Sequence, residues 1–178
     1  QIVLPASLSE IEKMMQSSEV QIAEITEKML NVSTLGALLF NMFLVAVVPA
    51  LGEELFFRGT IQQLLSDWKG ALFAIWITAF VFSAIHMQFY GFLPRMLLGA
   101  FLGYLLLWSG SLWLPIIAHF VNNSVAVVFY YLKFNGVKVI DVETIGTDDT
   151  LWLGIVSGIV CVFLGFLIRK NTRKPTSE

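Results

Sequence analysis

Long apolar stretches separated by short polar breaks run through most of this chain. Five of them are long enough to span, or nearly span, a bilayer as helices, which takes roughly 17–25 residues each. The breaks carry Ser, Gly, Pro and charged residues, which are typical of turns. The predicted spans are residues 35–51 continuing to 57, 71–85, 93–108, 113–132 and 151–168.

A more polar segment, residues 7–31, precedes the first span, and its apolar side chains keep an approximately helical spacing. Ser7 and Glu10 have the spacing of a capping box at its start. This helix would either lie on the membrane surface or pack on the bundle as a connector, and we favour the connector. The predicted domains are an amphipathic helix and connector at 1–34, a transmembrane domain at 35–168 and a basic polar tail at 169–178.

Composition agrees with this pattern, since 57% of the residues are hydrophobic, 13% are charged, and the mean hydropathy is +0.77. Soluble domains are usually about 45–50% apolar and about 25% charged. The predicted fold class is therefore all-α, a polytopic transmembrane helix bundle of about five membrane helices plus the N-terminal amphipathic helix. The partner this implies is the lipid bilayer, while the net charge of -2 argues against nucleic acid. A single cysteine, Cys161, excludes an intrachain disulfide.

The distribution of basic residues predicts the orientation. Positive charge collects at the C-terminus, whereas the loop at 133–150 is mainly acidic. Cytoplasmic segments are enriched in Lys and Arg, so we expect a cytoplasmic C-terminus, in a bacterial cytoplasmic membrane. The chain starts with Gln and has no signal-peptide pattern, so we also expect a fragment or processed product whose upstream spans are missing. The C-terminal basic residues are Arg169, Lys170, Arg173 and Lys174.

Three charged residues, Glu53, Glu54 and Arg58, directly follow the apolar run of the first span. Each charge costs about 2.5–3.5 kcal/mol at the centre of a membrane helix. Glu54 and Arg58 stand four residues apart and can pair on one helix face, which leaves Glu53 without a partner. An alternative is that the helix ends near Leu51 and all three charges lie among lipid headgroups.

Both histidines of the chain, His86 and His119, lie at or inside apolar spans, and Asn123 follows His119 on the same helical face. Glu53 and His86 each lie about 20–24 Å along a helix from the predicted turn at 66–70, so an antiparallel hairpin brings them level. His119 lies only about 12 Å past the next turn. It joins them only if the intervening helix is short, tilted or displaced.

Together these residues resemble the CAAX prenyl protease family, also called the CAAX protease and bacteriocin-processing group of intramembrane proteins. Three motifs carry the resemblance, in order, over residues 35–132. They are Glu-Glu-x-x-x-Arg at residues 53–58, Phe-x-x-x-His at 82–86 and His-x-x-x-Asn at 119–123. The three motifs in this order in a membrane protein are far more specific for the family than any one motif alone.

The resemblance implies a metal-independent, glutamate-dependent endopeptidase without cofactors, acting on membrane-associated peptides or proteins, including prenylated CAAX-type peptides. Glu53 with His86 would activate the attacking water. His119 and Asn123 would stabilise the oxyanion of the tetrahedral intermediate. Glu54 and Arg58 would support and orient Glu53. The chemistry is consistent, because a neutral imidazole N–H and an amide N–H both donate to a developing oxyanion.

Three other interpretations stay open at this stage. Glu and two His could bind zinc, although no His-Glu-x-x-His motif places two ligands on one helix. The same polar cluster could serve a non-catalytic membrane protein, such as a bacteriocin immunity factor or scaffold. Buried charges also occur along ion paths, but the chain has no duplicated interrupted helices typical of a transporter.

Overall fold

The computed structural model describes residues 9–137 and 151–172, and over these residues the chain is all-α, with six helices and no strand. Each predicted span falls within one helix, which confirms the fold class. Ser7 of the expected capping box, most of the acidic loop, Arg173 and Lys174 lie outside the described residues. The helices are α1 Ser9–Leu30, α2 Leu35–Lys69, α3 Ala71–Ala84, α4 Phe92–Ser109, α5 Trp113–Phe134 and α6 Leu151–Thr172.

Helix α2 runs unbroken for 35 residues, about 52 Å, well past the predicted end at residue 57. Thr34 caps its start by accepting a hydrogen bond from the Ala37 amide, and Gly70, at φ 88°, ends it. Two π-helical turns, Phe43–Val47 and Phe57–Ile61, interrupt its α-helical winding. Because α2 does not end near Leu51, the alternative that placed the charges at a helix end is wrong. They lie in the interior of the longest helix.

Three of the helices in the described ranges, α2, α4 and α5, are long and apolar enough to cross a membrane. Helix α3 is also apolar, but its 14 residues extend only about 21 Å, less than the hydrocarbon thickness of about 30 Å. The predicted number of five is therefore approximate. The short α3 still forms a tight antiparallel hairpin with α4, and this hairpin forms one wall of the site described below.

Small residues allow α3 and α4 to approach closely. Ile75 and Ala79 on α3 and Ala100 on α4 form a buried core. Gly99 lies against the Ala79 backbone, where an added Cβ would come within 3.2 Å of the Ala79 Cα. Close contact through small residues is the usual way for helices to associate in lipid, where the hydrophobic effect contributes little.

Gly103→Ala is expected to destabilise the bundle by about 1–3 kcal/mol, the usual cost of overpacking. The new Cβ would lie 2.8 Å from Gln62 Oε1 and 3.1 Å from the fully buried Ile75 side chain. Unfolding in mixed micelles measures the loss. Gly36→Ala in α2, where nothing lies within 4 Å of the added carbon, is the control and should leave stability unchanged or slightly higher. Equal effects of the two changes would contradict this packing.

Helix α5 starts part-way along α2 rather than at the level of Gly70. A Cβ at Gly59, 11 residues before Gly70, would contact Leu112 Cδ1 at 3.4 Å. Leu112 directly precedes α5, so α5 begins beside Gly59, about two thirds of the way along α2. His119 is seven residues beyond Leu112, and Glu53 is six residues before Gly59. At about 1.5 Å per residue, this displacement brings His119 to the level of the acidic pair.

Candidate active site

A fully buried ion pair occupies the centre of the candidate site. Arg58 Nη1 donates to Glu54 Oε1 at 2.8 Å, in the i,i+4 geometry expected from the sequence, and both side chains have zero exposure. Arg58 Nη2 donates to the Gly99 carbonyl of α4 at 2.7 Å, and the guanidinium lies 4.7 Å from the centre of the Phe82 ring. Arg58 thus connects α2 to both members of the α3–α4 hairpin.

Gln62 repeats this connection one turn further along α2. Its Nε2 donates to the Gly103 carbonyl at 3.2 Å, as Arg58 does to the carbonyl of Gly99. Gly99 and Gly103 are four residues apart and have no side chains over these carbonyls. A carbonyl oxygen has two lone pairs, so each can accept this bond in addition to its bond within the helix. We call these two connections the glycine-carbonyl ladder.

His119 of α5 contacts both acids of the doublet. Its Nδ1 donates to Glu54 Oε1 at 2.8 Å, and its Nε2 lies 3.9 Å from Glu53 Oε2. The ring is nearly fully buried, with 3% of the residue exposed. Because the hydrogen bond from Nδ1 to Glu54 fixes the orientation of the ring, Nε2 is held towards Glu53. Glu54 therefore orients His119, a link that the sequence did not indicate.

Glu53 is the least satisfied group of the site. Its side chain is 29% exposed, and its Oε2 is buried without a hydrogen-bond partner within the described chain. The 3.9 Å to His119 is too long for a direct hydrogen bond. An unpaired carboxylate oxygen inside a membrane bundle is costly, so its presence calls for a ligand or a function.

His86 lies two residues beyond the end of α3, and its ring, like that of His119, lies close to Phe82. Its Nδ1 donates to the Phe82 carbonyl at 2.7 Å, which leaves Nε2 free to accept or hold a proton. The Phe82 ring centre is 5.0 Å from the His86 ring and 5.9 Å from the His119 ring. Among the described residues no hydrogen bond or ion pair joins His86 to Glu53, so a water or substrate would have to lie between them.

The chain turns sharply just after His86. Met87 adopts φ 53°, and its amide donates to the Ala84 carbonyl. A left-handed conformation at a non-glycine residue is strained and is commonly found at functional sites. Met87 lies inside the 85–91 loop, three residues beyond the end of α3, and directly follows His86.

Asn123 lies on the His119 side of α5, as predicted, but it contacts the backbone of α2 rather than the acids. Its Nδ2 donates to the Val45 carbonyl at 3.1 Å, within the first π-helical turn. A π-helical turn disturbs the regular bonding of helix carbonyls, and Asn123 compensates for this at Val45. One N–H of the amide remains available, since an amide nitrogen carries two.

The structure thus brings Glu53, Glu54, Arg58 and His119 into direct proximity, with His86 beside Phe82 and Asn123 one turn further along α5. Sequence reasoning missed the Gly99 carbonyl and the bond from His119 to Glu54. It also gave Phe82 no role beyond its place in the Phe-x-x-x-His motif, although the ring lies close to both imidazoles and to Arg58. In the described ranges, no three His, Cys, Asp or Glu side chains are placed to hold a metal ion together.

Comparison with known proteins agrees with this geometry. The family model described as type II CAAX prenyl endopeptidase Rce1-like matches residues 35–125, just over half of the chain. The chain belongs to this family. Every residue of the candidate site lies within the matched range, whereas α1 and α6 lie outside it.

A relative from Bacillus subtilis (strain 168), named uncharacterized protein YpbD, is 26% identical over 89 residues. The match covers 48% of this chain and 43% of the relative, so the two share less than half of the relative's length. No solved structure matches. Membership of the Rce1-like family and the three long apolar helices together identify an integral membrane protein of a protease family.

Proposed function

We propose that this protein is an intramembrane endopeptidase in which Glu53 is the general base. The unpaired Glu53 Oε2 beside His119 supports this assignment most directly. In the proposed reaction, Glu53 takes a proton from water while the water oxygen attacks the peptide carbonyl carbon. The C–N bond of the tetrahedral intermediate then breaks, and Glu53 delivers the proton to the leaving amine.

The two histidines have separate roles in this proposal. His86, with Nδ1–H fixed on the Phe82 carbonyl, directs Nε2 at the attacking water. His119, with Nδ1–H on Glu54, directs Nε2–H at the oxyanion. In this role His119 holds two protons, one donated from Nδ1 to Glu54 and one donated from Nε2 to the oxyanion.

Asn123→Ala tests how Asn123 contributes. It removes the donor to the Val45 carbonyl, and we expect a stability loss of about 1–3 kcal/mol together with a lower kcat. Unfolding in mixed micelles and steady-state kinetics separate the two effects. Gln63→Ala, which removes an amide from an exposed position of α2, is the control. A lower kcat without any stability loss would assign Asn123 to the oxyanion alone.

We further propose membrane-associated peptides or proteins as substrates, in a bacterial cytoplasmic membrane with the C-terminus cytoplasmic. The family description and the basic last turn of α6, Arg169 and Lys170, support these proposals. The apolar surroundings of Glu53 on α2 are also consistent with an apolar or lipid-modified chain.

The experiment is a cleavage assay with purified protein in lipid nanodiscs. A prenylated CAAX peptide and unprenylated membrane peptides are incubated with the protein, and products are identified by mass spectrometry. We expect hydrolysis that continues in 1,10-phenanthroline. Loss of activity with the chelator and recovery with zinc would replace this mechanism by a metal-dependent one. No cleavage of any peptide, together with full cellular function of Glu53→Gln, would favour a binding role.

A further inference from the structure

Arg95, in the first turn of α4, is a second cation close to the candidate site. Its backbone amide donates to the Gly91 carbonyl, and its Nη2 donates to Gln88 Oε1. The guanidinium folds back over Gly91, where an added Cβ would lie 3.2 Å from Nη2. The side chain is therefore turned into the 85–91 loop and half buried there, rather than extended along the lipid surface.

Part of this guanidinium has no partner. Nη1 is buried and makes no hydrogen bond within the described chain, and no carboxylate among the described residues lies within ion-pair distance of Arg95. The guanidinium does interact electrostatically, at longer range, with Glu19 of α1 and with Glu53. A buried, charged N–H without an acceptor is costly, and an arginine fork fits a carboxylate with two parallel hydrogen bonds.

The position of Arg95 relates it to the reacting groups. It precedes Gly99 by four residues, so the two lie on one face of α4, and that face contacts α2 through Arg58. Its partner Gln88 follows His86 by two residues in the same loop. The cation thus lies against the loop that carries His86 and within electrostatic range of Glu53.

We propose that Arg95 binds a carboxylate of the substrate next to the bond that is cleaved, an inference that rests on the proposed peptidase function for its place in the reaction. Its unpaired Nη1–H donates to the anion, while the bond from Nη2 to Gln88 fixes the guanidinium plane. Arg95 also offsets the repulsion that Glu53 exerts on an incoming anion. The carboxylate is either the C-terminus of the peptide or an Asp or Glu side chain.

A binding experiment tests this without requiring cleavage. Three mixtures of acetylated tetrapeptides with randomised apolar residues are dialysed against the protein in nanodiscs, and retained peptide is quantified by mass spectrometry. One mixture ends in a free carboxylate, one in a carboxamide, and one in a carboxamide with a single Asp. We expect the protein to retain a carboxylate-bearing mixture roughly 10- to 100-fold better than the plain carboxamide. The mixture preferred identifies the source of the carboxylate.

Variants assign the preference to Arg95. Arg95→Gln should remove it, and Arg95→Lys, which keeps the charge but loses the fork, should restore part of it. Lys69→Gln is the control, because it also removes one positive charge, from an exposed side chain that rests on Trp68 at the far end of α2. The preference should persist in that variant.

Equal retention of the three mixtures, no retention of any, or an unchanged preference in Arg95→Gln would each overturn the proposal. Displacement of the retained peptides by anionic phospholipid alone would also overturn it, in favour of a headgroup site. Failure of the peptidase function would be seen as a different outcome. An Arg95-dependent preference without any cleavage removes the peptidase and keeps the carboxylate site, whereas cleavage without a preference does the reverse. Where cleavage occurs, Arg95→Gln should raise KM more for carboxylate-bearing peptides than for the carboxamide.

Discussion

Glu53→Gln is expected to lower kcat for peptide hydrolysis by about 10²- to 10⁴-fold, the usual contribution of a general base. Glutamine keeps the shape of the side chain but cannot take a proton from water. Glu53 Oε2 has no hydrogen-bond partner in the described residues, so the variant loses no stabilising contact there. Its unfolding midpoint in mixed micelles should therefore match or exceed that of the parent protein. Single-turnover cleavage of the assay peptide measures the rate.

Glu24→Gln is the matched control for this change. Glu24 lies on α1 and forms an exposed pair with Lys28 at 3.6 Å, remote from the candidate site. Its replacement should leave kcat unchanged. Hydrolysis at the parental rate in Glu53→Gln would remove Glu53 from the chemistry. Loss of folding in that variant would show instead that the carboxylate is structural.

Arg58→Met is expected to cost about 3–5 kcal/mol of unfolding free energy, because it leaves a buried carboxylate without its partner. Glu54 has zero exposure, and the Gly99 carbonyl loses a charged donor at the same time. Unfolding of the purified protein in mixed micelles measures the loss. The double variant Glu54→Gln/Arg58→Met should lose less unfolding free energy than the two single variants lose in sum, because no charge is then left unpaired.

Lys28→Met provides a control with the same i,i+4 spacing. The Glu24–Lys28 pair is well exposed, and such pairs contribute little to stability because water and salt screen them. No measurable change is expected. A similar loss in both variants would mean that burial of the Glu54–Arg58 pair does not determine its contribution.

The sequence predicted those features that depend on local spacing. Helix positions followed from apolar runs, and the Glu54–Arg58 pair followed from a separation of four residues. The π-helical turns could not be predicted, because each depends on a one-residue change of helical winding that composition does not reveal. Asn123 illustrates the consequence, since its acceptor, the Val45 carbonyl, lies in such a turn.

The level of His119 relative to the two glutamates along the bundle was the other feature that could not be predicted from the sequence. Counting residues from each turn placed His119 too far from the acids unless α4 was short, tilted or displaced. The approach of Leu112 to Gly59 sets the start of α5 part-way along α2, and it is a tertiary contact between distant segments. Arg95 was not predicted to belong to the site, for a related reason. Its proximity to Glu53 arises from the folding of α4 against α2, and no motif includes it.

The glycine-carbonyl ladder has a mechanical consequence. Two such bonds at one-turn spacing resist both sliding and rotation of α2 against α4, so the two helices move together as one rigid unit. Helix α1, by contrast, meets the 85–91 loop through an exposed hydrogen bond from the Tyr90 amide to Glu19. Water competes for an exposed hydrogen bond, so α1 and this loop are held together less firmly than α2 and α4.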